Sequence, residues 1–130
     1  MKKNGFTLVE LLAVIVILAI ILVIAVPKIT STIENARIGS LQSSVKMVAA
    51  QAETQKTVAD TLGKTFGDSG SCIGTGAEWA GLNSSDYSTC TYTITNGVAT
   101  VTITGQGKFE GYTCSGTRSK IEDNNCKKMS

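Results

Sequence analysis

A chain of 130 residues and 13.6 kDa, with a formal charge of +2 and no histidine, has room for one small folding unit. That size excludes an enzyme with a second, separate catalytic core, and the missing histidine removes the commonest general base and metal ligand. Only 17% of the residues are charged and mean hydropathy is +0.15, yet the apolar residues are segregated rather than spread.

The segregation begins at the N-terminus. Leu11–Val26 is sixteen residues without a polar side chain, and the 21 residues from Phe6 to Val26 are interrupted only by Thr7 and Glu10. As a helix such a stretch covers about 31 Å, the thickness of a bilayer core. Lys2 and Lys3 precede it, which keeps the N-terminus cytoplasmic and sends the remainder outward. A cleaved secretory signal, an ordinary anchor and a more specialised segment all compete for this run. Val26-Pro27-Lys28 is a poor signal-peptidase site. An ordinary anchor meets the objection of Glu10, because an ionised carboxylate at membrane depth costs about 3 kcal/mol unless paired. The sequence therefore asks for a cation near Glu10.

Lys2-Lys3-Asn4-Gly5-Phe6-Thr7-Leu8-Val9-Glu10, followed by the apolar run and Pro27, resembles the N-terminus of a type IV prepilin. That family comprises filament subunits, the pilins and the related pseudopilins of secretion and DNA-uptake machines. The resemblance implies cleavage between Gly5 and Phe6 by a membrane prepilin peptidase, which then methylates the new amine of Phe6. It places the assembly glutamate at Glu10 and the helix-bending proline at Pro27. The motif covers about the first 27 residues and is specific; the C-terminal region matches no subtype.

Elementary electrostatics agrees with that resemblance. Cleavage after Gly5 would leave a positive amine on Phe6, the cation that Glu10 requires. The pair could form within one helix, since i and i+4 share a face, or between staggered subunits. Because an unpaired buried charge costs several kcal/mol, pairing rewards one axial register over others. The bland alternative puts Glu10 at headgroup level with no role. Pro27 removes one helical hydrogen bond and crowds the Val23 carbonyl. It fits either a kink in one long helix, the reading adopted here, or the first turn of a separate helix.

From Lys28 to Leu62 the pattern turns amphipathic. Ile29, Ile33, Ala36, Leu41, Val45, Val48, Ala52, Ala59 and Leu62 recur mostly three or four residues apart. Glu34, Arg37, Gln42, Lys46, Glu53 and Lys56 supply the solvated face. Gly39 weakens this helix and Gly63 stops it. Helix over Phe6–Leu62 would be about 85 Å long. No aromatic residue lies between Phe6 and Phe66, so the helix carries no aromatic stripe.

Residues 63–130 have strand character. Asn96-Gly97 signals a two-residue type I′ hairpin, which pairs Thr95 with Val98, Ile94 with Ala99, Tyr92 with Val101 and Cys90 with Ile103. One face is then apolar and the other carries threonines, and both arms agree on which is which. The threonine face reads as ordinary strand surface. Lys108–Cys114 reads as a third antiparallel strand after Gly105-Gln106-Gly107. The apolar face is expected to pack on the second half of the helix, helped by Trp79 and Leu82.

Cys72, Cys90, Cys114 and Cys126 stand 18, 24 and 12 residues apart, with no Cys-x-x-Cys and no histidine to complete a zinc site. Disulfides are favoured over metal. Three connectivities are possible; Cys72–Cys90 with Cys114–Cys126 is preferred, at about 2–4 kcal/mol for each bridge. Glu122-Asp123-Asn124-Asn125 offers only two carboxylates without alternating ligands, a weak calcium loop. A catalytic cysteine would need a general base, and none is evident.

The expected fold is α+β: a long N-terminal helix packed on a small antiparallel sheet with two disulfides. Its parts are a leader at 1–5, a transmembrane and assembly helix at 6–27, an amphipathic half at 28–62 and a β domain at 63–130. The expected function is that of a non-enzymatic type IV pilus subunit, serving adhesion, motility or DNA uptake, with no cofactor and no metal. Expected partners are other copies of the chain, the prepilin peptidase, the bilayer before assembly and, indirectly, an inner-membrane platform with motor ATPases. The location is the cytoplasmic membrane, N-terminus inside, and then the cell surface. The alternatives are a pseudopilin of a type II secretion or competence system and a plain membrane-anchored adhesion module. Loss of Lys2 and Lys3 with the leader leaves ten basic and ten acidic side chains, so nothing argues for nucleic-acid binding.

Overall fold

The computed structural model describes residue 5, residues 7–121 and residues 125–129. Helix α1 spans Leu8–Thr61 and is followed by five strands: β1 (Ser69–Ser71), β2 (Tyr87–Thr95), β3 (Val98–Gly105), β4 (Tyr112–Thr117) and β5 (Cys126–Lys128). The strands form one antiparallel sheet in the order β1-β2-β3-β4-β5. This is the α+β arrangement expected, with both disulfides, Cys72–Cys90 and Cys114–Cys126, in place. By its contacts the chain divides into two compact units, residues 1–35 and residues 36–130.

In the first unit the chain is helical from Leu8 onward, with Pro27 inside the helix. Leu8, Val9 and the large apolar residues of Leu11–Val26 are exposed, nearly all of them at least half accessible. Ile29 and Ile33 are exposed as well, so neither joins the core that their spacing promised.

The second unit is built around one core. Leu41, Val45, Val48, Ala49 and Ala52 of α1 are fully buried and pack with Cys90, Tyr92, Ile94, Ala99, Val101 and Ile103 of the sheet. The 3.6-residue period brings these helix positions to one stripe, and Ala49 completes it beside Val45 and Val48. Ala36 and Leu62, assigned to the same stripe from spacing, are exposed. Phe66, Trp79 and Leu82 are half-buried against the core, as expected for the latter two. Phe66, Trp79 and Tyr92 form a mutual aromatic cluster with centroids 5.3–5.5 Å apart.

The Asn96-Gly97 hairpin has the expected register, from Thr95↔Val98 through Cys90↔Ile103. Both turn residues have positive φ, 52° at Asn96 and 78° at Gly97, the requirement of a type I′ turn. Helix α1 ends as expected at Gly63 (φ 68°), where the Lys64 amide donates to the Ala59 carbonyl at 2.8 Å. The third strand is displaced from expectation. Gly107–Phe109 forms a 3₁₀ turn and Gly111 adopts φ 87°, so extended pairing starts only at Tyr112 and runs to Thr117. Phe109 is thereby turned inward, stacked on Tyr87 at 5.7 Å.

The opposite face of the sheet is formed by hydroxyl side chains in rows. Ser71, Thr91, Thr102 and Ser115 stand in register across four strands. Ser69, Thr93, Thr100 and Thr117 form the next row. A third row runs through Thr89, Thr104 and Thr113.

Candidate functional site

The candidate site is the head of α1 and the apolar run behind it. Thr7 stands immediately before the first helical residue, and Glu10 lies in the first turn. The Thr7 amide donates to Glu10 Oε2 at 3.3 Å, and the Glu10 amide donates to Thr7 Oγ1 at 3.2 Å. This reciprocal pair is a capping box, in which Ser/Thr-x-x-Glu satisfies two amides that a helix start leaves without partners. The carboxylate also faces the positive end of the helix dipole. Thr7 is the residue that sequence reasoning missed. Its signal was legible, a threonine three residues before a glutamate at the edge of an apolar run.

Behind the box, α1 is long and apolar enough to cross a membrane, and none of its apolar window is buried within the chain. A surface of this kind must be covered by lipid or by protein. Pro27 closes the run without ending the helix. It lacks an amide, so the Val23 carbonyl loses its helical donor there. Thr30 and Thr32 return their hydroxyls to the Val26 and Lys28 carbonyls at 3.0 and 2.9 Å, a back-bonding that accompanies bends.

Gly5 is exposed ahead of the box. Lys2, Lys3 and Phe6, on which the leader and methylation expectations fall, lie outside the described residues, as do Glu122, Asp123 and Asn124 of the weak calcium reading. All four cysteines are brought together in the expected pairs. Cys114 and Cys126 face each other across β4 and β5, while Cys90 of β2 holds Cys72 just beyond β1.

A second cluster of polar groups lies in the sheet-bearing unit, where α1 ends against the hairpin. Lys56 Nζ is 3.1 Å from Asp68 and 3.6 Å from Asp60, and it donates to the Phe66 carbonyl at 3.3 Å. The hydrogen bond to Asp68 holds its ammonium above the ordinary lysine value. Glu53 accepts the Ala99 amide at 3.2 Å and pairs with Arg118 at 3.5 Å. Glu53, Lys56, Asp60 and Asp68, with Asn96, border a cleft of about 260 Å³. Within it Lys56 bridges Asp60 and Asp68, while Glu53 is held by Arg118 and the Ala99 amide, which ties helix to hairpin.

The first 26 residues match the family described as the prokaryotic N-terminal methylation motif. Over 111 residues the chain is 31% identical to the type IV narrow pilus major component PilA5 of Thermus thermophilus, covering 79% of this chain and 96% of that protein. No solved structure matches.

Proposed function

The chain belongs to the type IV pilin family, and on that premise we propose that it is cleaved between Gly5 and Phe6, methylated on the Phe6 amine and polymerised into a surface filament through α1. The observation that carries this reading is the bare apolar length of α1 headed by a single acid, Glu10. Such a helix is stable in lipid before assembly and in a core of like helices afterwards, since both remove it from water. Lys2 and Lys3 orient the precursor with its N-terminus inside, which delivers the disulfide-bearing domain to an oxidising space.

The division into leader (1–5), assembly helix (6–27), amphipathic half (28–62) and β domain (63–130) belongs to the same reading. In it Glu10 selects the axial register by meeting the Phe6 amine of its own or a neighbouring subunit. Pro27 lets the helix bend or melt locally as its surroundings change from lipid to filament. The peptidase, the membrane platform and its motors are the expected machinery, and the chain itself does structural rather than catalytic work.

Mass spectrometry of the mature protein tests this directly. The expected N-terminus is Phe6 carrying one methyl group. An intact Met1, or an unmethylated terminus, overturns this account of processing and assembly in favour of a plain anchored module.

A further inference from the structure

The assembly reading leaves one polar cleft unused. It lies on the outward side of the sheet, along β4 and the chain that joins β4 to β5, and holds about 500 Å³. That volume is within the range of small-ligand sites. Thr113, Ser115 and Thr117 of β4 line it, with Lys127 and Lys120 beside them. Lys127 stands opposite Thr113 in the ladder, fixed there by the Cys114–Cys126 bridge next to it. Lys120 is fixed at the other end, where the Thr117 amide donates to its carbonyl and its own amide donates to Thr117 Oγ1, both at 3.0 Å. Thr113 and Thr117 are about 13 Å apart along an extended strand, so the two lysines are anchored at opposite ends of one hydroxyl run.

Among the described residues no acid pairs with either ammonium. Lysine only donates, so the partners of these two are anionic acceptors. The Thr113 hydroxyl donates to the Ile103 carbonyl at 3.2 Å, which leaves its oxygen to accept from a ligand. The Asn125 amide, also on the cleft, offers both a donor and an acceptor. Two cations separated by neutral hydroxyls match a ligand whose acids are spaced apart with hydroxyls between them. A nucleic acid is a poorer match, because its affinity grows with the number of phosphates neutralised, and no aromatic side chain lines the cleft to stack a base. An anionic membrane is drawn by clusters of about four to eight basic residues, and this cleft has two.

We propose that this cleft binds carboxylate-bearing polysaccharide, Lys120 and Lys127 each meeting a carboxylate and the β4 hydroxyls meeting the sugar hydroxyls between. Binding is a property of the single chain, while its use in surface adhesion rests on the filament reading above. Exposed ion pairs contribute little each, so one cleft holds its ligand weakly. A filament that repeats the cleft along its length holds a long polymer firmly by avidity.

The test titrates the full-length chain, solubilised in detergent, with polygalacturonate oligomers at low salt by calorimetry. Saturable binding is expected, about tenfold weaker in Lys120→Gln/Lys127→Gln. Lys46→Gln/Lys64→Gln removes the same charge from exposed positions on α1 and just after it, and should bind as the wild type does. No binding by the wild type overturns the proposal; it is the result expected if Glu122 and Asp123, outside the described residues, cancel the two lysines. Equal losses in the two glutamine variants also overturn it, since the attraction would then be a general effect of charge. Equal binding of neutral dextran oligomers, or tighter binding of an oligonucleotide of matched length, assigns the cleft to another ligand and overturns it as well. Solubilised chains need no filament, so failure here leaves the filament reading standing, and absence of sheared fibres strikes that reading alone.

Discussion

Glu10 caps its helix and, in the assembly reading, has a second role that one substitution separates from the first. Its carboxylate completes the capping box with Thr7, and in the assembly reading its charge meets the Phe6 amine. Glutamine preserves the first role, because Ser/Thr-x-x-Gln also forms the box, and abolishes the second. Glu10→Gln is therefore expected to leave leader cleavage intact and to block filament formation as completely as Glu10→Ala. The measurement is the yield of sheared fibres beside the mass of the processed N-terminus. Normal fibres from Glu10→Gln would reduce Glu10 to a helix cap and refute the charge pairing. At the same scale, Gly105 shows a constraint set by its neighbours. A methyl group there would overlap the Phe109 carbonyl, so the residue is glycine for space rather than for backbone freedom.

At the scale of elements, the contact that matters most is between the second half of α1 and the hairpin. Hydrophobic burial supplies the attraction, but it is non-directional and leaves the helix free to slide. Glu53 supplies direction, since it is the helix side chain that accepts the amide of Ala99 on β3, whose own side chain is fully buried. Glu53→Ala leaves that amide without its partner and is expected to cost about 1–3 kcal/mol, read as a lower urea midpoint at unchanged slope. Glu53→Gln keeps an acceptor at the same place and should lose less than half as much. Equal losses from the two variants would assign the effect to the Arg118 pair, an exposed contact of low ordinary worth.

For the molecule as a whole, the groups that titrate abnormally point to alkaline sensitivity. Burial pushes the Tyr92 phenol above its usual value, with the Asp68 charge adding to the shift and Lys56 opposing it. The Lys56 ammonium is also raised, chiefly by its hydrogen bond to Asp68. In both cases the unfolded chain releases its proton first as pH rises past about 10. The stability these groups contribute is thus complete below about pH 10 and falls as pH climbs through the folded-state values. The urea midpoint, followed by the fluorescence of Trp79 within its cluster with Phe66 and Tyr92, should be flat from neutral pH to about 9 and lower at about 11. Tyr92→Phe should remove part of that decline.

Much of this protein is determined by its sequence alone, for a physical reason common to the cases that succeeded. The apolar run, the stop at Gly63 and the Asn96-Gly97 register are local: each depends on backbone preference or side-chain period within a few residues. The preferred cysteine pairing is the one formed, although four cysteines by themselves left three connectivities open. The tertiary structure alone decided where the third strand begins, because Phe109 gains more by turning into the core beside Tyr87 than by extending the ladder. It also decided that burial begins at Leu41 and not at Ile29, which no period can reveal when the pattern continues on both sides. Three-residue strands such as β1 and β5 are too short to declare themselves, and only pairing with β2 and β4 makes them strands. With β1 and β4 in register, scattered serines and threonines become continuous rows across the sheet, a surface defined by pairing between distant segments.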